Sequence, residues 1–447
     1  MNADAVEMNS TVVAIASPRS LMSIMDTVAG YMSFWNVVQS AREISPDEQP
    51  WIVKLLIIIL GYATVIVPSF YLINYARRKY AISEPRSTLG RFLRAFAVGN
   101  ENYQLLDVAP TLGKGSQSVP ETRNLLRDAI LLLFFFAGIQ CTLVMMGFLQ
   151  ERIITRGYQN SGNGQLDQFG DAQFLVFCNR VVAIVVCAIV LTLTWRRQPP
   201  HVQPLYVHSF TSISNTMSTW CQYEALKYVS FPTQTICKTS KVVVTMLMGL
   251  LIRGQRYTWQ EWICGGAVGT GASLFLLGSG RSRKEGVVTS VSGMVLMIGY
   301  LLFDSYTLNY QKKLFDKKPK ISKYQMMMGV NVFSAILCAV SLLEQGTLFS
   351  SIDFALEHNN FFRDVFFLSL SGATGQLFIY STIEKFGPIV FAVMMTIRQM
   401  LSILLSSFYY GHSLSSWSLI GFGIVFTAIF LDIYRRYFEK RRAVVRQ

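Results

Sequence analysis

Charged residues are scarce in this chain. They make up 15% of its 447 residues, against about 25% in soluble domains. Acid is scarcer than base, with 26 Asp and Glu against 40 Lys and Arg. All seven cysteines (Cys141, Cys178, Cys187, Cys221, Cys237, Cys264 and Cys338) fall inside hydrophobic runs. That placement argues against a disulfide framework and offers no metal-ligand spacing. They read as small apolar packing residues. There is no DxD, no HExxH and no Gly-rich phosphate loop followed by Lys and Ser or Thr, so no enzyme is indicated and no metal or cofactor is expected. Residues 1–30 start acidic rather than basic, unlike the usual cleavable signal peptide.

What the chain has is apolar length. Hydrophobic residues make up 51% of it, and the mean hydropathy is +0.36. They come in about eleven runs, near 51–73, 126–149, 173–194, 204–226, 231–252, 259–278, 287–309, 324–343, 362–383, 387–410 and 415–434. Each is long enough to cross a bilayer as a helix. The fold class is therefore an all-α polytopic membrane protein, with the lipid bilayer as its solvent. The net charge of +14 lies mostly in loops and the tail, where the positive-inside rule accounts for it without nucleic acid. Basic residues crowd 74–127, 196–197, 253–256, 312–323 and the tail 435–447, which places all of these on the cytosolic side. Arg281, Arg283 and Lys284 break that rule. Residues 1–50 then form a lumenal segment, in which Leu21, Ile24, Met25, Val28, Met32 and Trp35 recur at helical spacing as one amphipathic helix. Asn9 opens a lone N-x-T sequon on that side, a weak glycosylation signal. Residues 74–125 read as a basic cytosolic linker carrying short surface helices.

The ten later segments divide in two. Lys227-Tyr228 matches Lys385-Phe386, and Trp259 matches Trp417, both at an offset of 158. Five spans per half invert the second half relative to the first. The expectation is a ten-helix core of two inverted five-helix repeats, 126–278 and 287–434, plus one extra N-terminal membrane helix. Substrate sites in such folds lie near the midplane between halves.

The segment 231–252 carries two lysines three residues apart, with no acidic neighbour in sequence. On one straight helix Gln234, Lys238, Lys241 and Thr245 share a face. A cation at mid-membrane costs about 2.5–3.5 kcal/mol on insertion scales, so two on one face point to an anion in an aqueous cavity. The repeat alignment sets Arg398 opposite Ser240, beside Lys241. A polar stripe, His208, Ser212, Asn215, Thr219 and Gln222, runs along 204–226 at spacings of four and three. It reads as a wetted cavity wall in preference to interhelical hydrogen-bonding, with His208 as hydrogen-bonded structure. Gln140, Asn179, Arg180, Tyr300, Asp304, Asn331, Gln376 and Tyr380 are further intramembrane polar residues. Singly each reads as structural, and Asp304 or Glu151 is placed to pair with a cation and blunt it. The candidate substrate-binding set is Lys238, Lys241, Arg398, Gln234, Asn215, Thr219, Gln222, Asn331, Gln376 and Tyr380. Gly265, Gly269 and Ser273, and more weakly Gly138 and Thr142, form small-residue faces for close helix packing.

Several stretches resemble the nucleotide-sugar transporter family of the drug/metabolite transporter superfamily. They are Gly147-Phe148-Leu149-Gln150-Glu151, Phe386-Gly387-Pro388-Ile389-Val390, Met395-Thr396-Ile397-Arg398-Gln399 and Ile403-Leu404-Leu405-Ser406. Gln173-Phe174-Leu175-Val176, Trp220 to Lys227 and Val229 to Gln234 resemble, more narrowly, its members that carry 3′-phosphoadenosine 5′-phosphosulfate (PAPS). The resemblance spans roughly residues 50–440. It implies import of PAPS into the Golgi lumen by alternating access, in exchange for adenosine 3′,5′-bisphosphate or an AMP-type nucleotide. It also implies a phosphate contact from Arg398. The chain departs from the family in having Thr-Ile-Arg where sugar-nucleotide members often end Asn-Lys. It also lacks the Phe-Tyr-Asn-Asn of GDP-mannose carriers, with Asn331 the nearest polar residue. These departures argue against a GDP-sugar.

PAPS carries two phosphates and a sulfate, which suits three convergent cations without a fixed acidic partner. Arg398 offers a bidentate fork and the lysines act as point charges. The competing readings are a UDP-sugar carrier of the same fold, a polytopic glycosyltransferase and an anion channel. A homo-oligomer is compatible with the sequence.

Overall fold

The structure is a computed structural model. It describes residues 51–80, 87–99, 125–159, 166–225, 227–229, 231–278, 290–318, 320–410 and 415–445. The expected amphipathic helix in 1–50 and the Asn9 sequon lie outside the described residues, as do Arg281, Arg283 and Lys284. The chain divides into two compact units, residues 1–66 and 67–447. The first is described only from residue 51, as the start of helix α1 (Trp51–Tyr80).

The second unit is helical nearly throughout its described residues. After α1 come α2 (Thr88–Ala97), α3 (Leu125–Arg156), α4 (Ala172–Leu193), α5 (Val207–Ala225), α6 (Phe231–Thr239), α7 (Lys241–Arg253) and α8 (Trp259–Gly278). Then follow α9 (Val291–Asp316), α10 (Lys323–Gln345), α11 (Thr347–Glu357), α12 (Asn359–Phe386), α13 (Pro388–Tyr410) and α14 (Ser416–Val445). Every expected membrane segment is a helix, and α2 supplies a short helix in the linker. Six helices are long and apolar enough to cross a membrane by composition alone: α1, α3, α4, α9, α10 and α14. Their outward faces carry exposed Leu, Ile, Val and Phe, as lipid-facing surfaces do.

The more polar helices hold their place by pairing. In α5, Ser212 Oγ donates to Val330 O at 2.7 Å, Ser214 Oγ to Phe303 O at 2.7 Å and Ser218 Oγ to Tyr300 O at 3.2 Å. These bonds tie α5 to α10 and α9 and satisfy hydroxyls that would otherwise be orphaned in lipid. The helices associate as α3 with α12, α4 with α10, α5 with α9, α8 with α14 and α7 with α9 and more lightly with α13, with α12 also meeting α4 and α10 also meeting α5. Small residues allow the closest crossings. A Cβ built on Gly271 would lie 2.9 Å from Gly421 O, and one on Gly421 would lie 2.5 Å from Gly271 O. The Gly265, Gly269, Ser273 face packs on α6 and α7, with Ser273 Oγ 2.6 Å from Thr239 Oγ1. A Cβ on Gly138 would meet the Phe378 ring at 2.6 Å, so the α3–α12 contact also needs its glycine.

Tyr158–Gln159 and Leu166–Asp167 form a two-residue antiparallel ribbon. It sits over a cluster of Ile153, Phe169, Phe174 and Phe361. Tyr158 Oη donates to Asp364 Oδ2 at 3.1 Å, and Arg152 pairs with the same carboxylate at 3.5 Å. Asp364 thus ties the ribbon and α3 to α12.

Candidate functional site

The segment 231–252 is not one straight helix: it breaks at Ser240, between α6 and α7. The cause is local. Thr239 Oγ1 and Ser240 Oγ both donate to Ile236 O, at 2.9 and 2.7 Å. Hydroxyls bonding back to the preceding turn compete with the helix ladder and bend it. The kink falls between the two lysines. Gln234 and Thr245 are buried and Lys238 and Lys241 half-buried, so all four still point inward.

Lys241 has a fixed acidic partner, contrary to the expectation of unpaired cations. Its ammonium is ion-paired with Asp304 Oδ2 on α9. It also lies over the Phe391 ring of α13, 6.0 Å from the centroid. The seam continues below, where Asn309 Nδ2 donates to Thr245 O at 2.9 Å and Thr245 Oγ1 lies 3.3 Å from Ser305 Oγ. Sequence distance hides this pair, since 63 residues separate its partners. An aspartate in an apolar span was the available signal, because such a group needs a cation.

Lys238 and Arg398 behave differently. Neither has a carboxylate partner among the described residues. Arg398 Nε is buried without an acceptor, as is Gln234 Nε2. Arg398 is close enough to Lys241 for the two charges to repel. The arrangement is therefore one neutralised cation between two uncompensated ones, on helices α6, α7 and α13.

A cavity of about 400 Å³ lies at the basic end of the bundle, and none of the candidate site residues line it. Arg253, Lys312 and Lys385 line its mouth, and Val242 and Ile397 are also among its lining residues, whereas their sequence neighbours Lys241 and Arg398 are not. At the mouth Asp316 pairs with Arg253 at 3.3 Å and with Lys312 at 3.0 Å, while Lys312 Nζ donates to Glu384 O at 2.6 Å. Lys385 pairs with Asp128 at 3.2 Å. A larger cavity of about 580 Å³, between α8 and α14, is likewise lined by none of the candidate site residues.

The other candidates fall into two groups. Asn331, Gln376 and Tyr380 gather at α10 and α12. Asn331 Nδ2 donates to Gln376 Oε1 at 2.8 Å, and Arg180 Nη1 of α4 donates to Asn331 Oδ1 at 3.2 Å. The polar stripe of α5 divides along its length. His208 and Ser212 are buried and serve packing, with His208 Nε2 3.2 Å from His201 Nε2. Asn215 and Gln222 are half-buried, and Thr219 is exposed and donates only to Asn215 O at 2.9 Å. The stripe is thus not a continuous cavity wall.

A bundle of apolar helices of membrane length, with polar side chains buried inside it, defines a multi-pass membrane protein. Residues 131–436 match the model of the UAA transporter family, and the chain belongs to that family. It is a multi-pass transporter, not an enzyme. The chain is 62% identical over 408 residues to the adenosine 3′-phospho 5′-phosphosulfate transporter 1 of Caenorhabditis elegans, covering 90% of this chain and 96% of that one. It is 40% identical over 394 residues to the human protein of that name, covering 88% and 89%. The UDP-galactose/UDP-glucose transporter 5 of Arabidopsis thaliana is 36% identical over 330 residues, covering 73% and 92%.

Proposed function

We propose that this protein is a secondary transporter that carries PAPS from the cytosol into the Golgi lumen for lumenal sulfotransferases. The observation that carries the reading is the pair of intramembrane cations, Lys238 and Arg398, without carboxylate partners beside the Lys241–Asp304 pair. A substrate with three acidic groups supplies the missing negative charge. The names of the worm and human relatives, at 62% and 40% identity, favour PAPS over a sugar nucleotide. The proposed contacts are Lys238, Arg398 and Gln234 directly, and Lys241 by exchanging Asp304 for substrate. Asn215, Thr219, Gln222, Asn331, Gln376 and Tyr380 complete the proposed walls.

The proposed layout is two inverted halves, 126–278 and 287–434, behind an extra helix, with the N-terminus lumenal and the basic tail cytosolic. Helix pairing supports it. Exchanging α3 with α9, α4 with α10, α5 with α12, α7 with α13 and α8 with α14 turns the α3–α12 pair into α9–α5 and α4–α12 into α10–α5. The pairs α4–α10, α7–α13 and α8–α14 map onto themselves. An inverted repeat predicts such a pattern; the α7–α9 contact has no α13–α3 counterpart and is the departure from it. Substrate lowers the cost of burying Lys238 and Arg398, so a loaded carrier reorients more readily than an empty one. That favours exchange for adenosine 3′,5′-bisphosphate or an AMP-type nucleotide.

The test is uptake of sulfur-labelled PAPS into proteoliposomes. Saturable uptake is expected, competed by adenosine 3′,5′-bisphosphate but not by UDP-sugars, lost in Lys238→Ala and Arg398→Ala, and faster into nucleotide-loaded vesicles than into empty ones. The Arabidopsis relative keeps a second reading, UDP-sugar transport, in view. Uptake of a UDP-sugar without PAPS uptake would select it. Equal rates into loaded and empty vesicles would remove exchange.

A further inference from the structure

We infer that Arg180 is a substrate-contacting residue that binds the 3′-phosphate and so sets the preference for 3′-phosphorylated adenosine nucleotides. The inference rests on the PAPS reading above and adds a second anion subsite to it.

Arg180 sits in the middle of α4, one of the helices apolar enough to span the membrane. A charge there needs compensation. Among the described residues its hydrogen-bond partner is a neutral amide, Asn331 Oδ1 at 3.2 Å, and no carboxylate pairs with it. Its Nε is buried with no acceptor. The amide cannot turn away, because Asn331 Nδ2 is held by Met327 O and Gln376 Oε1, both at 2.8 Å. Three helices, α4, α10 and α12, thus aim one uncompensated fork at a fixed place. An amide acceptor orients a guanidinium without neutralising it, as an anion site requires.

The position fits the far end of the proposed ligand. The Arg180 charge is felt at the Tyr380 hydroxyl and the Cys338 thiol. Tyr380 and Phe391 belong to one buried hydrophobic cluster, and the Lys241 ammonium lies over Phe391. Cations therefore border that cluster at two of its residues, Arg180 at Tyr380 and Lys241 at Phe391. A nucleotide with a phosphosulfate on O5′ of its ribose and a phosphate on O3′ presents two separate anionic groups, each able to meet a different cation.

The experiment measures inhibition of labelled PAPS uptake by adenosine 3′,5′-bisphosphate and by adenosine 5′-monophosphate, which differ only in the 3′-phosphate. Wild type, Arg180→Gln and Arg180→Lys are compared. In Arg180→Gln the bisphosphate should lose about tenfold or more in potency, the loss expected for a charge-assisted contact. The monophosphate should move less than about threefold by the same reasoning, so the preference collapses. Arg180→Lys keeps the charge and should retain part of the preference, which covers a Gln variant that fails to insert. Equal loss of both inhibitors, or an unchanged ratio in both variants, would overturn the assignment and leave Arg180 a helix-packing residue. A wild-type protein that takes up no PAPS would fail the substrate reading itself, and the 3′-phosphate assignment with it.

Discussion

Replacing Asp304 by Asn isolates the chemistry of the proposed site, because it removes a counter-charge and leaves every cation in place. Lys241 and Asp304 side chains are 14% and 20% exposed. Removing one partner of a fully buried pair costs about 3–5 kcal/mol, and the residual exposure sets this case at the lower end, about 3 kcal/mol. The variant should therefore be clearly less heat-stable than wild type in detergent. The freed Lys241 should turn to the ligand. An anion that restores the lost pairing recovers part of that cost, and each 1.4 kcal/mol recovered is about tenfold in affinity. Asp304→Asn should thus bind adenosine 3′,5′-bisphosphate about tenfold or more tightly than wild type and gain more thermal stability from it. Turnover should fall, because a tighter complex releases more slowly.

The assay is thermal unfolding of purified protein with and without adenosine 3′,5′-bisphosphate, alongside PAPS uptake. A double variant, Lys241→Met with Asp304→Leu, should return stability close to wild type, since removing both charges removes the penalty. An Asp304→Asn protein that melts within a degree of wild type, with unchanged ligand affinity, would refute the pairing and its proposed exchange with substrate.

Other expectations follow from the surrounding structure. Asp316 is 47% exposed, so its ion pairs at the cavity mouth are screened; Asp316→Asn should cost less than about 1 kcal/mol, and a much larger fall in melting temperature would contradict that. Gly421→Val should separate α8 from α14, since a Cβ there lies 2.5 Å from Gly271 O; overpacking of about 1–3 kcal/mol should appear in melting or detergent sensitivity, and wild-type stability would refute the close crossing. His201, in the loop before α5, is pushed below its ordinary value of 6.5 by burial. The unfolded chain then takes up the proton first, so stability should be full above about pH 6.5 and fall as the pH drops below it. Melting curves from pH 7.5 to 5.5 check this, and His201→Gln should flatten the slope.

The helices were legible because apolar runs of membrane length leave the backbone no alternative to internal hydrogen bonding. The residues around Ser240 were legible as a site but not as a kink, because back-bonding by Thr239 and Ser240 depends on rotamers that no hydrophobic pattern encodes. Asp304 was legible as a counter-charge for one of the cations, but that its partner is Lys241 depends on the packing of α7 against α9. The α5 stripe misled for a related reason. Spacing of four and three identifies a face, but Ser212 spends its hydroxyl on Val330 O while Thr219 is exposed. Periodicity assigns a direction; the neighbour decides whether that direction is water, lipid or another helix.

Under the proposed exchange of halves, neither packing nor charge is fully matched: α7 packs on α9, but α13 makes no comparable contact with α3. Helices α7 and α13 pair with each other and map onto each other, so they lie along the axis relating the halves. Cations carried there stay within reach of a substrate whichever side is open. Asp304, the counter-charge of Lys241, comes from α9 in the other half. The counterpart of α9 is α3, which carries no carboxylate between Asp128 and Glu151 to serve Arg398 in the same way. One half therefore neutralises its neighbour's cation and the other does not. A carrier with both cations neutralised would hold an anion weakly, and one with neither neutralised would bury three charges each time it crossed empty. The single aspartate sets the site between those limits, leaving enough uncompensated charge to select a polyanion and enough compensation to release it.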